Sequence, residues 1–267
     1  MKKLILFFGI ALIFTACRNE KANENNSATA HISDTLSYKY DSVKVYSKNI
    51  IKSENNHTDT TKATITYPLF NHETLNKFIE RQVTDYIAKD EQSASYSYLA
   101  NSFVKGYDEF YAENKDTFQS WFLMIDISVL NQKKDYIALK YLHADYSGGA
   151  HPNTNIFYIN YNPTTNQPIT IDSLIKSDQK LELTKIGERI FRNDEKISST
   201  ASLTENYFFE NGKFNLPENF YISNKGLVFL YNPYEIKPYV AGTTELVIPF
   251  ANLKKIAKPN TILSSFN

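Results

Sequence analysis

Four side chains in the middle and later parts of this chain are of the types that do chemistry. His143 and Asp145 stand two apart in a run that reads as a β-strand, so both face one side of it, and His151 follows just beyond a glycine pair. Two imidazoles and a carboxylate form a set that a transition metal accepts. Glu235, far along the chain, adds a candidate general acid, although the sequence gives no second carboxylate at a known distance from it; a glycan-acting enzyme with a site near Asp145, His151 and Glu235 is the alternative reading. Each has a plainer reading. The spacing matches no specific metal motif, a strand His serves equally as a hydrogen-bonded structural residue, and Glu235 serves equally as a charged rim residue. The sequence contains no HExxH, no GxSxG, no phosphate-loop glycines and no dinucleotide fingerprint. The reading is therefore of a non-enzymatic chain with no cofactor and no metal.

Two loops carry the remaining candidates. In Tyr146 to Asn153, Gly148 and Gly149 permit positive φ at a sharp reversal, and Pro152 biases His151 toward an extended backbone. The second loop, Tyr231 to Gly242, is rich in Pro and Tyr. Together they offer Tyr146, Gly148, Gly149, His151, Asn153, Tyr234, Glu235 and Tyr239 as ligand-binding residues, with aromatic faces for sugar rings or protein anchors and polar tips for hydrogen bonds. The alternative is that the glycines and prolines only shape backbone and the loops are scaffolding.

The elements that must position these loops follow from periodicity. Tyr38 to Tyr46 and Ala63 to Tyr67 alternate as strands, with Pro68 ending the second. Asn71 to Asp90 places Leu75, Phe78, Ile79, Val83, Tyr86 and Ile87 at helical steps, with Asn71 or Asn76 as cap, and Leu99 to Tyr111 forms a second stripe. From Trp121 to Val129 the odd positions are apolar, so this strand buries its odd face, and Asn131 to Lys134 turns it into the Tyr136 to Tyr146 strand. Ile156 to Tyr161 returns from the glycine loop, and Asn166, in the turn Asn162 to Pro168, is placed to adopt a left-handed conformation. A helix over Asp178 to Arg192 and three strands near Phe220, at Gly226 to Tyr231 and at Glu245 to Phe250 complete the pattern. The fold class is α+β: antiparallel sheets with helices packed on one face, in two similar helix-plus-hairpin halves.

The N-terminus reads as an address. Lys2 and Lys3, the apolar run Leu4 to Phe14 and the small residues before the single Cys17 form a secretory signal with a lipid-attachment site. Cleavage there removes two lysines and turns a formal net charge of zero into a slight acidic excess. Such a balance gives no electrostatic footprint for nucleic acid, so membrane contact is assigned to acyl chains on Cys17. Arg18 to Thr35 is polar and free of aromatics, the composition of a flexible tether.

The stretch YSGGAHPNTN, then Ile169 to Leu174, then Tyr231 to Gly242 with Val247 to Phe250, resembles a paired-domain family over Ser37 to Ile256. That family includes the lysozyme-sensing extracellular part of an anti-sigma factor, the N-terminal non-catalytic module of peptidoglycan deacetylases, and many bacterial lipoproteins. After the signal peptide at 1–16 and the tether at 17–36, the resemblance implies a deacetylase-module-like domain at 37–160 and an anti-sigma-factor-like domain at 161–267 packed on the first. The deacetylases carry their metal-binding Asp pair and HxxxH in a separate catalytic domain, which this chain is expected to lack. The implied function is that of a lipid-anchored envelope protein, at an outer membrane, binding peptidoglycan glycan or a lysozyme-type muramidase; a structural or assembly role among envelope proteins is the other possibility.

Overall fold

The computed structural model describes residues 35–52, 58–84 and 95–266. The expected signal peptide, the Cys17 attachment site and nearly all of the tether lie outside the described residues. Among those described, no helix is long and apolar enough to cross a membrane.

The first half is a six-stranded sheet. Strands β1 (Tyr38–Lys52) and β2 (Thr58–Phe70) form a long antiparallel pair, and the chain then runs through helices α1 (Glu73–Thr84) and α2 (Tyr96–Glu113) before β3 (Phe122–Lys133). That helical crossover returns the chain alongside β2 in the same direction, so β2 and β3 pair parallel, the one such pair in an otherwise antiparallel sheet. β4 (Tyr136–Tyr146), β5 (Asn153–Asn162) and the two-residue β6 (Gln167–Pro168) follow in order. The odd face of β3 is inward as the alternation requires: Leu123, Ile125 and Ile127 are buried against Leu75, Ile79 and Val83 of α1 and Leu99 and Val104 of α2.

Several local expectations are corrected. Pro68 lies inside β2, beyond Thr66, the last residue paired with β3, so its missing N–H costs no bond on that side. The N-terminus of α1 is capped by His72, whose Nδ1 accepts the Leu75 N–H at 3.1 Å, while the Asn76 amide clamps the N–H and C=O of Phe70. The turn after β3 is confined to Lys134 and Asp135, because Asn131, Gln132 and Lys133 pair with β4 across a register shift. Asn166, by contrast, takes the left-handed conformation expected of it, with φ of 56°.

In the second half, the short α3 (Ile171–Leu174) leads to α4 (Lys180–Asp194), then to the three-stranded antiparallel sheet of β7 (Phe220–Ile222), β8 (Gly226–Tyr231) and β9 (Thr244–Pro249), and to α5 (Phe250–Leu253). Central strand β8 is buried throughout, which accounts for its unbroken apolar run. Phe191 of α4 packs with Phe209 and Phe214 over this sheet. The two halves thus repeat one plan of sheet plus helix.

Side-chain amides join them. β5 has β6 beside it only at Tyr161 and Asn162, which leaves its edge open at Ile156 and Tyr158. Asn232 receives the Ile156 N–H at 2.7 Å and donates to the Ile156 carbonyl at 3.0 Å, and Asn219 receives the Tyr158 N–H at 2.8 Å. Each amide offers a donor and an acceptor side by side, as a neighbouring strand would. Deeper in, the Tyr136 hydroxyl donates to Asn160 Oδ1 and accepts the Ile222 N–H, both at 2.7 Å, and Asn160 donates to the Phe220 carbonyl at 2.6 Å. Burial keeps the Tyr136 phenol protonated well above its usual range, so this link persists across ordinary pH.

Candidate functional site

The β4–β5 hairpin brings cross-strand partners onto one face: Tyr141 lies opposite Phe157, His143 opposite Asn155, and Asp145 opposite Asn153. The inner part of this face is covered by the helices. Its outer part is the floor of a cavity of about 810 Å³, walled on one side by Gln82 at the end of α1 and on the other by Pro217 to Asn219 and Asn232 to Glu235.

His143 is half-buried on that floor. Its Nε2 lies 3.2 Å from Asp145 Oδ1 and its Nδ1 3.0 Å from the Tyr141 hydroxyl. A carboxylate only accepts, so Nε2 carries the proton and Nδ1 accepts from Tyr141. Burial holds the His143 pKa below the usual imidazole value against the opposing pull of Asp145, and pushes Tyr141 up to about 12. The result is a neutral ring with both nitrogens engaged, a rigid floor rather than a free base.

The lining has a clear chemical character. Gln82, Asn153, Asn155, Asn219 and Asn232 supply amides, Tyr141, Phe157 and Tyr158 supply rings, and Asp145, Glu218 and Glu235 supply carboxylates, with no lysine or arginine among the described residues there. Asn219 and Asn232 are committed to the β5 edge, whereas the side-chain amides of Gln82 and Asn155 make no hydrogen bond among the described residues and present open donors and acceptors to the cavity. Glu235 is partly committed, since one of its oxygens accepts the Asn232 N–H at 2.9 Å.

The two loops do meet. His151 stacks on Tyr239 with ring centroids 4.0 Å apart and planes at 17°, and Tyr234 packs beside both rings, 6.4 Å from His151 and 5.7 Å from Tyr239. The Pro152 carbonyl accepts from both His151 Nδ1 at 3.0 Å and the Tyr239 hydroxyl at 3.1 Å, so His151 Nε2 is free to accept from Tyr234 at 3.4 Å. Tyr234 holds φ at 69°, a conformation that an L side chain adopts only at a cost. Of the residues expected at the site, His151, Tyr234 and Tyr239 form this stack, and Asp145, Asn153 and Glu235 line the cavity beside it. Tyr146, Gly148 and Gly149 stand apart from both. The Tyr146 hydroxyl reaches the Gly149 carbonyl and Gln119 Oε1, each at 3.0 Å, and the two glycines have φ of 102° and 105°.

The metal arrangement considered for His143, Asp145 and His151 does not form, because His151 leaves for the ring stack; among the described residues no three His, Cys, Asp or Glu side chains cluster as ligands. The sequence reading missed Gln82, Asn155, Phe157, Asn219 and Asn232. Asn155 and Phe157 could have been found by carrying the strand alternation back across the glycine loop from His143 and Tyr141, but nothing local marks Asn219 or Asn232.

Comparison with known proteins gives two successive family matches: residues 54–154 match a model described as Deacetylase PdaC, and residues 172–251 match one described as a protein of unknown function, DUF3298. Over 115 residues the chain is 29% identical to the Immunogenic protein MPT64 of Mycobacterium tuberculosis and MPB64 of Mycobacterium bovis. The matched stretch covers 39% of this chain and 44% of theirs, so the chain spans less than half the length of these relatives. A crystal structure of a DUF3298 family member from Bacteroides fragilis superposes with a TM-score of 0.67 at 21% identity, covering 87% of this chain and 98% of that one. One from Pseudomonas aeruginosa superposes at 0.63 with 17% identity, covering 84% and 95%. The chain has the fold of these DUF3298 proteins. Its cavity draws Asp145 and Asn153 from the first matched region and Glu218, Asn219, Asn232 and Glu235 from the second.

Proposed function

We propose that this protein is a non-catalytic, lipid-anchored module of the bacterial cell envelope that binds wall glycan in the cavity over the β4–β5 hairpin. One observation carries the reading: a concave site of about 810 Å³ that combines aromatic walls with unpartnered amides and lacks basic side chains among the described residues. Aromatic faces suit the C–H faces of sugar rings, and amides match hydroxyl and acetamido groups in both hydrogen-bonding senses. An 810 Å³ site is large enough for more than one small ring.

The binding role, rather than a catalytic one near Asp145, His151 and Glu235, is favoured by how the candidate groups are occupied. Both nitrogens of His143 are engaged, His151 stands in the ring stack, and Glu235 caps a backbone N–H. A second reading, capture of a lysozyme-type muramidase as in the resembling anti-sigma factor, draws on the exposed residues outside the cavity: Tyr234 is 58% and Val240 93% exposed.

Sedimentation with insoluble peptidoglycan, run beside a lysozyme pull-down on the same preparation, tests both. The glycan reading expects wild type to pellet with peptidoglycan and the Asn155→Ala/Gln82→Ala double variant to lose at least tenfold in retention. Wild type that stays in the supernatant, or a variant retained like wild type, overturns it; retention by lysozyme alone transfers the function to the second reading.

A further inference from the structure

The 810 Å³ cavity does not stand alone. A depression of about 400 Å³ shares Gln82, Tyr158, Ile159 and Glu218 with it, and another of about 360 Å³ shares Phe78 with that one. Their order follows the secondary structure. Along β5 the floor of the first cavity is Asn153, Asn155 and Phe157; beyond it Ile159 and Tyr161 are covered by α1, whose own face from Gln82 through Phe78 to Thr74 lines the depressions in the opposite direction. Residues 74, 78 and 82 are successive positions on one helical face, and residues 153 to 161 span roughly 27 Å of strand. Phe78 packs on the buried Tyr161 with centroids 4.9 Å apart and planes tilted by 32°, which fixes its ring between the second and third depressions.

Charge changes along this line. The first cavity carries Asp145, Glu218 and Glu235, the middle depression Glu218 and Asp172, and the far end Lys77 and Arg81 with Glu73. Lys77 is paired with Glu73 at 2.6 Å, and Arg81 makes no ion pair among the described residues.

We infer that the three depressions form one groove for a linear glycan several sugars long, with a carboxylate-bearing sugar of the chain placed at the Arg81 end. This rests on the glycan reading above and adds the length and direction of the ligand. Half-buried Phe78 offers an aromatic surface at the junction of the second and third depressions, and among the described residues Arg81 is a groove cation with no ion pair, placed to meet a carboxylate. An anion lying the other way would face three carboxylates, so the gradient sets one direction.

Binding of N-acetylglucosamine oligomers of two, four and six sugars, and of a tetrasaccharide containing muramic acid, by calorimetry decides the matter. Affinity is expected to rise at least tenfold from the two-sugar to the six-sugar chain, with the muramic-acid chain tighter than the uncharged chain of equal length. Arg81→Glu, at an exposed position, should abolish that second preference and leave the two-sugar affinity unchanged; Phe78→Ala should remove most of the gain with length. A two-sugar affinity equal to the six-sugar affinity, or a muramic-acid preference that survives Arg81→Glu, overturns the extended groove while the first cavity remains a glycan site. Failure of every chain to bind removes the underlying reading as well.

Discussion

His143 and His151 lie on the same β-hairpin and are held by opposite means. His143 is flanked on its own strand by Tyr141 and Asp145, which occupy its two nitrogens, so its neighbourhood is written within five consecutive residues. His151 takes its backbone from its own loop but its ring partners, Tyr234 and Tyr239, from the second half of the molecule. A strand assigns faces by alternation, and the local sequence is enough to place a side chain there. A loop assigns positions only after a distant segment has docked on it.

The same contrast explains which parts were legible. The strands, both helices over the sheet and the α+β plan follow from periodicity, and the shared face of His143 and Asp145 follows from a spacing of two. The parallel β2–β3 pair was not legible, because pairing direction depends on where a helical crossover returns the chain. Asn219, Asn232 and Asn160 were not legible either. An asparagine in a polar loop ordinarily reads as a turn residue, and here Asn219 and Asn232 stand in for the strand missing at the β5 edge, while Asn160, on β5 itself, reaches across to the Phe220 carbonyl. The cap at His72 was missed because imidazole is a less usual acceptor at that position than the neighbouring Asn71.

If the second half truly positions the loop and the cavity wall, the junction is where the structure breaks most easily. Tyr136→Phe removes one hydroxyl yet strands two buried groups, Asn160 Oδ1 and the Ile222 N–H, and is expected to cost about 2 to 3 kcal/mol. Tyr239→Phe, which removes one hydroxyl from the ring stack, should cost less than about 1 kcal/mol. Urea melts of both variants check the ratio; equal losses would mean that the two halves are not coupled through Tyr136.

A smaller effect separates strain from support at Tyr234. Glycine is ordinarily the less stable partner in a Gly/Ala comparison, because it loses more backbone freedom on folding. At φ of 69° the order should invert, with Tyr234→Gly about 1 kcal/mol more stable than Tyr234→Ala, since only alanine keeps a Cβ in the left-handed region. Both lose the ring beside His151. If ligand retention falls equally in the two while stability differs, the tyrosine is kept for its ring and its backbone conformation is tolerated for that purpose.

The smallest expected effect concerns His143 and the meaning of its burial. Its folded pKa lies below its unfolded value of about 6.5 because burial penalises the imidazolium, with Asp145 only partly opposing. Between the two pKa values the unfolded chain binds more protons than the folded one, so the contribution is fully present above pH 6.5 and is lost as pH falls below that value, levelling off once the folded ring also protonates. His143→Gln keeps a donor and an acceptor on the strand but cannot titrate. Its stability difference from wild type should therefore grow in favour of the variant as pH drops from 7 to 5, by less than about 1 kcal/mol, and stay flat from 7 to 8. A difference that instead shrinks on acidification would mean that the Asp145 carboxylate outweighs burial and that His143 is charged in the folded protein. The floor of the cavity would then carry an ion pair, and the case for a neutral, sugar-facing surface would have to rest on Asn155 and Gln82 alone.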